Sequence, residues 1–263
     1  MYDFEYQRAS SVADAAAKYK VAEDARFLAG GMTLIPVLKQ RLDQPSTIVD
    51  LGELNDMQGI SEESGAIVVN AMTTHHAVHT SELVTSKIPA LAHLAGTIGD
   101  HMIRNRGTIG GSLANSDPAA SYPSAVLALN ATIKTDSREI AADHFFTGMF
   151  DTALNDGELI LSVSFPIPEE AGYKHFPNPA SRYPIVGSFV VKNTNGVRVA
   201  ITGAGPCAFR VTEFEEALVK NYSPDAIRGI KISDDGLNTD IHASAEYRAH
   251  LINVMTRRAI GEK

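Results

Sequence analysis

A glycine-rich segment at residues 104–123, RNRGTIGGSLANSDPAASYP, places the strongest constraint on what this chain can fold into. It combines a Gly-Gly pair and two prolines with small polar residues, and it contains no histidine, no cysteine and no pair of acids. Glycine lets a ligand approach the main chain closely and lets consecutive N–H groups converge on an anion. The segment therefore predicts a binding site made by the backbone, without a side chain that acts as acid, base or nucleophile.

A second pair, Gly30-Gly31, lies about eighty positions earlier and is followed by Thr33, whereas Thr108 and Ser112 flank Gly110-Gly111. Two such turns are what a diphosphate needs when it is held from both sides. Neither pair belongs to GxGxxG or GxxxxGK[ST], so neither a Rossmann site nor a P-loop is supported. Each pair taken alone is better explained as a tight turn that has no ligand.

The rest of the chain alternates between predicted strands and helices, and its start is a β-α-β unit. A segment rich in proline, glycine and asparagine, 168–184, is either a linker or a loop in contact with a ligand. The predicted strands are 25–31, 46–51, 66–74 and 158–168, with a hairpin across Thr194-Asn195-Gly196, and the predicted helices are 10–20, 33–42, 87–103, 211–222 and 244–260.

The composition excludes several classes of function. The single cysteine, Cys207, permits no intramolecular disulfide and no iron–sulfur cluster ligated by four thiolates of this chain. A net charge of −8 argues against a nucleic-acid partner. No apolar run reaches membrane-spanning length and the N-terminal residues lack the features of a signal peptide. We therefore expect a cytoplasmic protein that is not an integral membrane protein.

Five stretches, in order along nearly the whole chain, resemble the motifs of one family. They are FLAGGMTLIPVLKQRL, TIGDHMIRNRGTIGGSLANSDPAASYPSAVLALNA, GELILSVSFPIP, GYKHFPNPASRYPIVGSF and GAGPCAFRVTEFEEAL. The chain resembles the FAD-binding medium subunit of molybdenum hydroxylases, a group that includes the medium chain of aerobic carbon monoxide dehydrogenase and the FAD domain of xanthine dehydrogenase.

The resemblance implies an α+β protein. Its PCMH-type FAD-binding domain (1–168) would comprise two α/β subdomains, about 1–55 and 56–168, followed by a smaller α+β C-terminal flavoprotein domain (172–263). Both glycine loops would meet the diphosphate of FAD, and a lysine of the C-terminal domain would approach the ring system. The residues that the resemblance assigns to the cofactor are Ala29, Gly30, Gly31, Met32, Thr33, Leu34, Ile98, Gly99, Thr108, Ile109, Gly110, Gly111, Ser112, Asp117, Ser121, Leu159, Ile160 and Lys174.

The chain departs from the family pattern at three positions. Ser121 stands where an acid is frequent, which leaves Asp117 as the nearby carboxylate; Met102 stands where glutamine is common, and Met32 where a small polar residue is frequent. None of these changes removes a glycine or a hydroxyl from the loops, so we expect FAD binding to be kept. Asp117 followed by Pro118 is also typical of a helix N-cap, although the helix can equally begin nearer Ser121.

The function implied by the resemblance is that of an oxidoreductase subunit without a catalytic side chain of its own. A large partner would carry the molybdopterin cofactor and hydroxylate the substrate, and a small partner would carry two [2Fe-2S] clusters. FAD in this chain would pass the electrons to an external acceptor, in a dimer of heterotrimers. Two alternatives remain open: a stand-alone PCMH-type flavin oxidase, and a non-catalytic nucleotide-binding module that has lost FAD.

Other candidate residues carry less weight. The three histidines of THHAVH (74–79) have the spacing of metal ligands, but no acid or cysteine completes a shell, so we expect a capped surface helix and no metal site. Arg104 and Arg106 could pair with a phosphate group or with acidic residues of a partner, or they could have a structural role. Tyr183 suits either contact with the flavin ring or ordinary packing, and Cys207 is expected to be buried and inert.

Overall fold

Three main β-sheets follow one another along residues 1–261, the part of the chain that the computed structural model describes. The first sheet is parallel, as predicted for a β-α-β unit, and has the strand order β1-β3-β2. Ser11 caps its first helix by accepting a hydrogen bond from the N–H of Asp14. The elements of this unit are β1 (Glu5–Arg8), α1 (Val12–Val21), β2 (Ala25–Leu28), α2 (Leu34–Lys39) and β3 (Thr47–Asp50).

The second sheet is antiparallel, with the order β4-β5-β10-β6-β7, and six short helices lie between β5 and β6. Its strands are β4 (Ile60–Glu63), β5 (Ala66–Asn70), β6 (Thr132–Thr135), β7 (Glu139–Ala141) and β10 (Ile160–Pro166), and a small separate hairpin is formed by β8 (Phe146–Gly148) and β9 (Asp151–Thr152). The helices are α3 (His75–Thr80), α4 (Glu82–Lys87), α5 (Pro89–Thr97), α6 (His101–Arg104), α7 (Ile109–Asn115) and α8 (Tyr122–Ala128).

The third sheet is an antiparallel meander, β11-β12-β13-β14, followed by three helices. The predicted hairpin is confirmed, because Asn193 pairs with Gly196 across a two-residue turn. The elements are β11 (Glu170–Pro177), β12 (Pro184–Asn193), β13 (Gly196–Thr202), β14 (Phe209–Arg210), α9 (Thr212–Lys220), α10 (Pro224–Arg228) and α11 (Ala245–Ala259).

The third sheet contributes to two hydrophobic cores, because successive side chains of a strand point to opposite faces. In β12, Phe189 and Val191 join the core that the first two sheets share. Val186 and Val190, on the other face of the same strand, join a second core with Ile252 of α11. One sheet therefore forms a wall of both cores.

The predicted mixed α+β class is confirmed, and the three sheets lie close to the predicted ranges 1–55, 56–168 and 172–263, with β11 beginning at Glu170. These domain boundaries themselves stay predictions. Within residues 1–261, no helix combines the length and the apolar character that crossing a membrane requires.

Three local predictions were wrong. The segment around Gly110-Gly111 is the first turn of α7, not a tight turn. Residues 170–177 are a strand that pairs with β12 over its length, so 168–184 is not a linker. The helix expected over 87–103 is two helices, and they are separated at Gly99, where φ is +51°.

Candidate functional site

The two glycine-rich segments lie directly against each other. A Cβ atom built on Gly30 would be 2.1 Å from the carbonyl oxygen of Arg106 and 2.8 Å from the Cα of Gly107. A Cβ on Gly111 would be 3.6 Å from the Cβ of Ala29. Since real Cβ contacts below 3 Å essentially do not occur, only glycine at position 30 permits this contact.

The loop between β2 and α2 presents a run of free backbone donors. None of the N–H groups of residues 30–34 has a hydrogen-bond acceptor within residues 1–261, and the first bond of the helix is donated by the N–H of Ile35 to the carbonyl of Gly31, at 3.0 Å. Gly31 has φ of +73°, a conformation that glycine adopts without strain. Consecutive unpaired N–H groups on such a loop make an anion-binding concavity.

The second glycine pair offers no comparable run, which corrects the expectation of two backbone cradles. The N–H groups of residues 109–111 all have acceptors inside the protein. Gly110 donates to the carbonyl of Ala71 at 2.9 Å, and Gly111 donates to Oγ1 of its N-cap residue Thr108 at 3.2 Å. This segment instead supplies a wall of the cavity, because its glycines admit close packing and Thr108 and Ser112 belong to the lining.

A cavity that is partly open to solvent lies between these segments, with about 950 Å³ of empty space when its open part is included. The residues assigned by resemblance that line it are Ala29, Gly30, Gly31, Met32, Thr33, Leu34, Ile98, Gly99, Thr108, Gly111, Ser112, Asp117 and Ser121. The lining also includes residues that were not assigned from the sequence, namely His75, Ile103, Gly107, Asn115, Ala120, Arg182, Tyr183 and Pro184. Arg182 and Tyr183 belong to the segment 168–184. Its composition indicated either a linker or a loop in contact with a ligand, and this was the only sign in the sequence that the segment could reach the cavity.

Five assigned residues do not line this cavity: Ile109, Gly110, Leu159, Ile160 and Lys174. The first four are buried in the interior. Lys174 is exposed on β11, on the strand face that also carries Gly172, whose Cα packs against α11. Their contact with a cofactor stays a prediction, and the structure gives each of them a packing or surface position.

Arg104 is buried below the cavity wall. Its Nη1 donates to the carbonyl oxygens of Ile98 at 2.9 Å and Gly99 at 3.0 Å, and Arg182 donates to the same Gly99 oxygen at 3.1 Å. No carboxylate of residues 1–261 forms a salt bridge with Arg104. These contacts support the structural role that the sequence suggested for Arg104. Its positive charge lies beside the cavity and adds to the hydrogen bond from the N–H of Ile103 in lowering the pKa of Asp100. The side chain of Arg106 is exposed.

Asp117 supplies the one carboxylate of the cavity lining. Its Oδ1 accepts a hydrogen bond from the N–H of Ala119 at 2.8 Å, and α8 begins later, at Tyr122, so Asp117 is not the N-cap of that helix. Burial raises the pKa of Asp117, and the bond from Ala119 opposes this effect. Burial and the negative charge of Asp117 together raise the pKa of Tyr183.

The third sheet holds the segment after Asp117 in place. The N–H of Gly203 donates to the carbonyl of Pro118 at 2.8 Å, and the Thr202 hydroxyl donates to the carbonyl of Ala120 at 2.5 Å. Arg248 of α11 in turn donates to the carbonyls of Gly203 and Ile185, the latter next to the cavity-lining Pro184. The third sheet and α11 thus hold two parts of the cavity wall in place.

His75, which the sequence offered only as a doubtful metal ligand, lies in the cavity wall with 5% of its surface exposed. Its Nδ1 is enclosed without a hydrogen-bond partner. Burial, together with the charge of Arg104, lowers its pKa to about 4. His76 is exposed and Nδ1 of His79 lies 2.9 Å from the carbonyl of Ala92, and residues 1–261 contain no group of three side chains arranged to hold a metal ion.

His75 makes the stability of the chain depend on pH. An unfolded histidine takes up a proton near pH 6.5, whereas folded His75 stays neutral down to about pH 4. Its contribution to stability is therefore complete above pH 6.5 and is lost as the pH falls towards 4. Between pH 7 and pH 5, we expect the free energy of unfolding of the wild type to fall by about 2 kcal/mol more than that of His75→Gln, measured by urea titration. Equal losses in both proteins would contradict the neutral, buried state of His75.

Comparison with known proteins agrees with this geometry. The family model described as the FAD binding domain in molybdopterin dehydrogenase matches residues 2–168. The nicotine 6-hydroxylase medium subunit of Paenarthrobacter nicotinovorans is 35% identical over 98% of this chain and 96% of its own. The glyceraldehyde dehydrogenase medium chain of Sulfolobus acidocaldarius is 33% identical over 99% of this chain and 98% of its own.

A solved structure shows the same fold. A chain of the reconstituted CO dehydrogenase from Oligotropha carboxidovorans matches with a TM-score of 0.90 and 32% identity, over 98% of this chain and 96% of its own. The matches to these relatives extend over all three sheets, and the family model covers the free N–H run, the wall of α7 and every residue of the cavity lining except Arg182, Tyr183 and Pro184. The chain therefore belongs to the family of FAD binding domains of molybdopterin dehydrogenases.

Proposed function

We propose that this chain is the FAD-carrying medium subunit of a molybdenum hydroxylase complex, in which it transfers electrons. The observation that carries the proposal is the run of free N–H groups at residues 30–34 in the wall of the cavity, in a chain of the FAD-binding family. FAD, when bound, supplies the redox chemistry, and the protein supplies binding, orientation and electrostatics.

The residues of the cavity fit such a cofactor. The free N–H groups of residues 30–34 suit the diphosphate, because this loop is pressed against Arg106 and Gly107 and cannot open without breaking that contact. Asp117 offers an acceptor for hydroxyl groups of the dinucleotide. Ile98 and Tyr183 offer apolar surface for a ring system, and Tyr183 keeps 45% of its surface exposed at the mouth.

The partners follow from the same proposal. The relatives are named as medium chains or medium subunits, and one is named as a chain of CO dehydrogenase complexes. The single cysteine of this chain cannot ligate a [2Fe-2S] cluster, so a small partner would carry the clusters and a large partner the molybdopterin cofactor. We extend the proposal to a cytoplasmic dimer of heterotrimers that delivers electrons to an external acceptor.

The proposal is tested by purification from the native source and by reconstitution. We expect the chain to co-purify with one larger and one smaller polypeptide, and the complex to contain molybdenum, iron and one FAD for each copy of this chain. The isolated chain, incubated with FAD, is expected to turn yellow and to bind one equivalent, yet to leave the substrate of the complex unoxidised.

Two results would contradict the proposal in different ways. Substrate oxidation by the isolated chain would favour a stand-alone flavin oxidase. A chain that stays colourless after incubation with FAD, alone and with its partners, would favour a nucleotide-binding module that has lost the cofactor.

A further inference from the structure

We propose that His75 is a further cofactor-binding residue, which donates a hydrogen bond from Nε2 to a phosphate oxygen of the bound dinucleotide. The inference rests on the proposed function, since it requires that the cavity binds FAD. It adds an imidazole donor to the backbone N–H groups of residues 30–34 and the hydroxyls of Thr33 and Ser112.

The position of the ring supports this role. His75 lies in the cavity wall beside Gly107, because a Cβ on Gly107 would be 2.6 Å from Nε2. The Cα of Gly107 in turn would be 2.8 Å from a Cβ on Gly30, the first residue of the free N–H run. The imidazole thus lies next to Gly107, where the two glycine-rich segments meet.

The chemistry of the ring determines which nitrogen carries the proton. Nδ1 is enclosed and has no acceptor, and an enclosed N–H without an acceptor is rarer and more costly than an enclosed bare acceptor. The single proton of the neutral ring therefore belongs on Nε2, at the cavity. Arg104 opposes a second proton, and the other neighbour, Tyr122, is an uncharged ring with its centroid 5.4 Å away. His75 is thus a neutral donor that lacks a protein acceptor.

A phosphate oxygen is the acceptor that this environment selects. The free N–H groups of residues 30–34 and the buried charge of Arg104 both favour an anion at the junction, and Asp117 is the only carboxylate in the cavity lining. A hydrogen bond to a charged oxygen is stronger than one to a neutral acceptor.

The test uses two substitutions at this position and one control. His75→Leu removes both nitrogens at similar volume, His75→Gln keeps an N–H donor, and His76→Leu alters the exposed neighbour. FAD affinity is measured by quenching of flavin fluorescence, and ADP affinity by competition. We expect His75→Leu to weaken the binding of FAD and the binding of ADP by the same factor, about tenfold or more. We expect His75→Gln to stay within about threefold of the wild type, and His76→Leu to be unchanged.

Stability separates this role from a structural one. Because Nδ1 has no partner, the unfolding midpoint of the ligand-free His75→Leu protein is expected not to fall, although its affinity for ADP does. Long-range ¹H–¹⁵N NMR of the wild type gives a second measurement that needs no variant: it should show the proton of His75 on Nε2, with a shift when ADP binds.

Three results would overturn the inference. They are an unchanged affinity of His75→Leu for ADP, an equal loss of affinity in His75→Gln and His75→Leu, and a proton on Nδ1 of the wild-type ring. A wild-type chain that binds neither FAD nor ADP would instead refute the proposed function, and the inference with it. A wild type that binds FAD as tightly as His75→Leu refutes only the inference.

Discussion

Replacement of Gly30 by alanine is expected to reduce the affinity for FAD by about 100-fold or more. The added Cβ would lie 2.1 Å from the carbonyl oxygen of Arg106, which is backbone and has little freedom to move away. The loop of residues 30–34 would therefore separate from the second segment, and at least two charge-assisted N–H bonds to the diphosphate would be lost. The strain is also expected to lower the free energy of unfolding by about 1–3 kcal/mol. Flavin fluorescence and urea titration measure the two effects.

Two other glycines provide matched controls for this substitution. Gly229, at the end of α10, has open space around its Cα and φ of −88°, so Gly229→Ala should leave FAD binding unchanged. Gly111→Ala places its Cβ 3.0 Å from a hydroxyl oxygen and not against backbone, and we expect an effect of less than about tenfold. FAD binding by Gly30→Ala at wild-type affinity would show that contact between the two segments is not needed for the site.

Replacement of Arg248 by methionine is expected to have the largest effect on stability, a loss of about 3 kcal/mol or more. The guanidinium is 4% exposed and donates to the carbonyls of Ile185 at 2.7 Å and Gly203 at 2.8 Å, and to Asp240 at 2.7 Å. Methionine fills much of the volume but leaves these acceptors without the donor. Because Gly203 holds the carbonyl of Pro118, we also expect weaker FAD binding.

Arg258 lies on the same helix with an exposed side chain, so Arg258→Met serves as the control and should change the free energy of unfolding by no more than about 0.5 kcal/mol. Thermal and urea unfolding of both variants, with and without FAD, gives the comparison. Equal stability of the two variants would mean that the contacts of Arg248 add nothing to the fold.

The location of the site could be predicted from the sequence because its main element is local. Gly30, Gly31 and the hydroxyl of Thr33 lie within four positions, and a strand precedes them while a helix follows. A loop of this kind leaves its N–H groups free regardless of the rest of the fold.

The hydrogen bonds of the second glycine pair could not be predicted in the same way. The acceptor of the Gly110 N–H is the carbonyl of Ala71, which lies far away in sequence and meets α7 only in the folded protein. The edge strand β11 was missed for a similar reason. Its Gly172 and Pro177 and the prolines that follow are typical of a loop, but pairing with β12 across eight registered positions outweighs the local preference.

The burial of His75 is another feature that could not be predicted from the sequence. Three histidines at helical spacing suggest shared ligation, yet in the folded chain one is enclosed, one is exposed and one approaches a backbone carbonyl. Which face of a two-turn helix is buried depends on its neighbours, α5 and α6, and the pattern THHAVH does not specify it.

The third sheet, with Phe189 on one face and Val190 on the other, has a consequence for how the molecule comes apart. A cut near residue 170 would leave the second core with its own sheet, but it would uncover the first core and expose the Phe189 face of the third sheet, so each fragment would present apolar surface to water. We therefore expect the parts of the chain before and after residue 170 to unfold together and not as independent cooperative units.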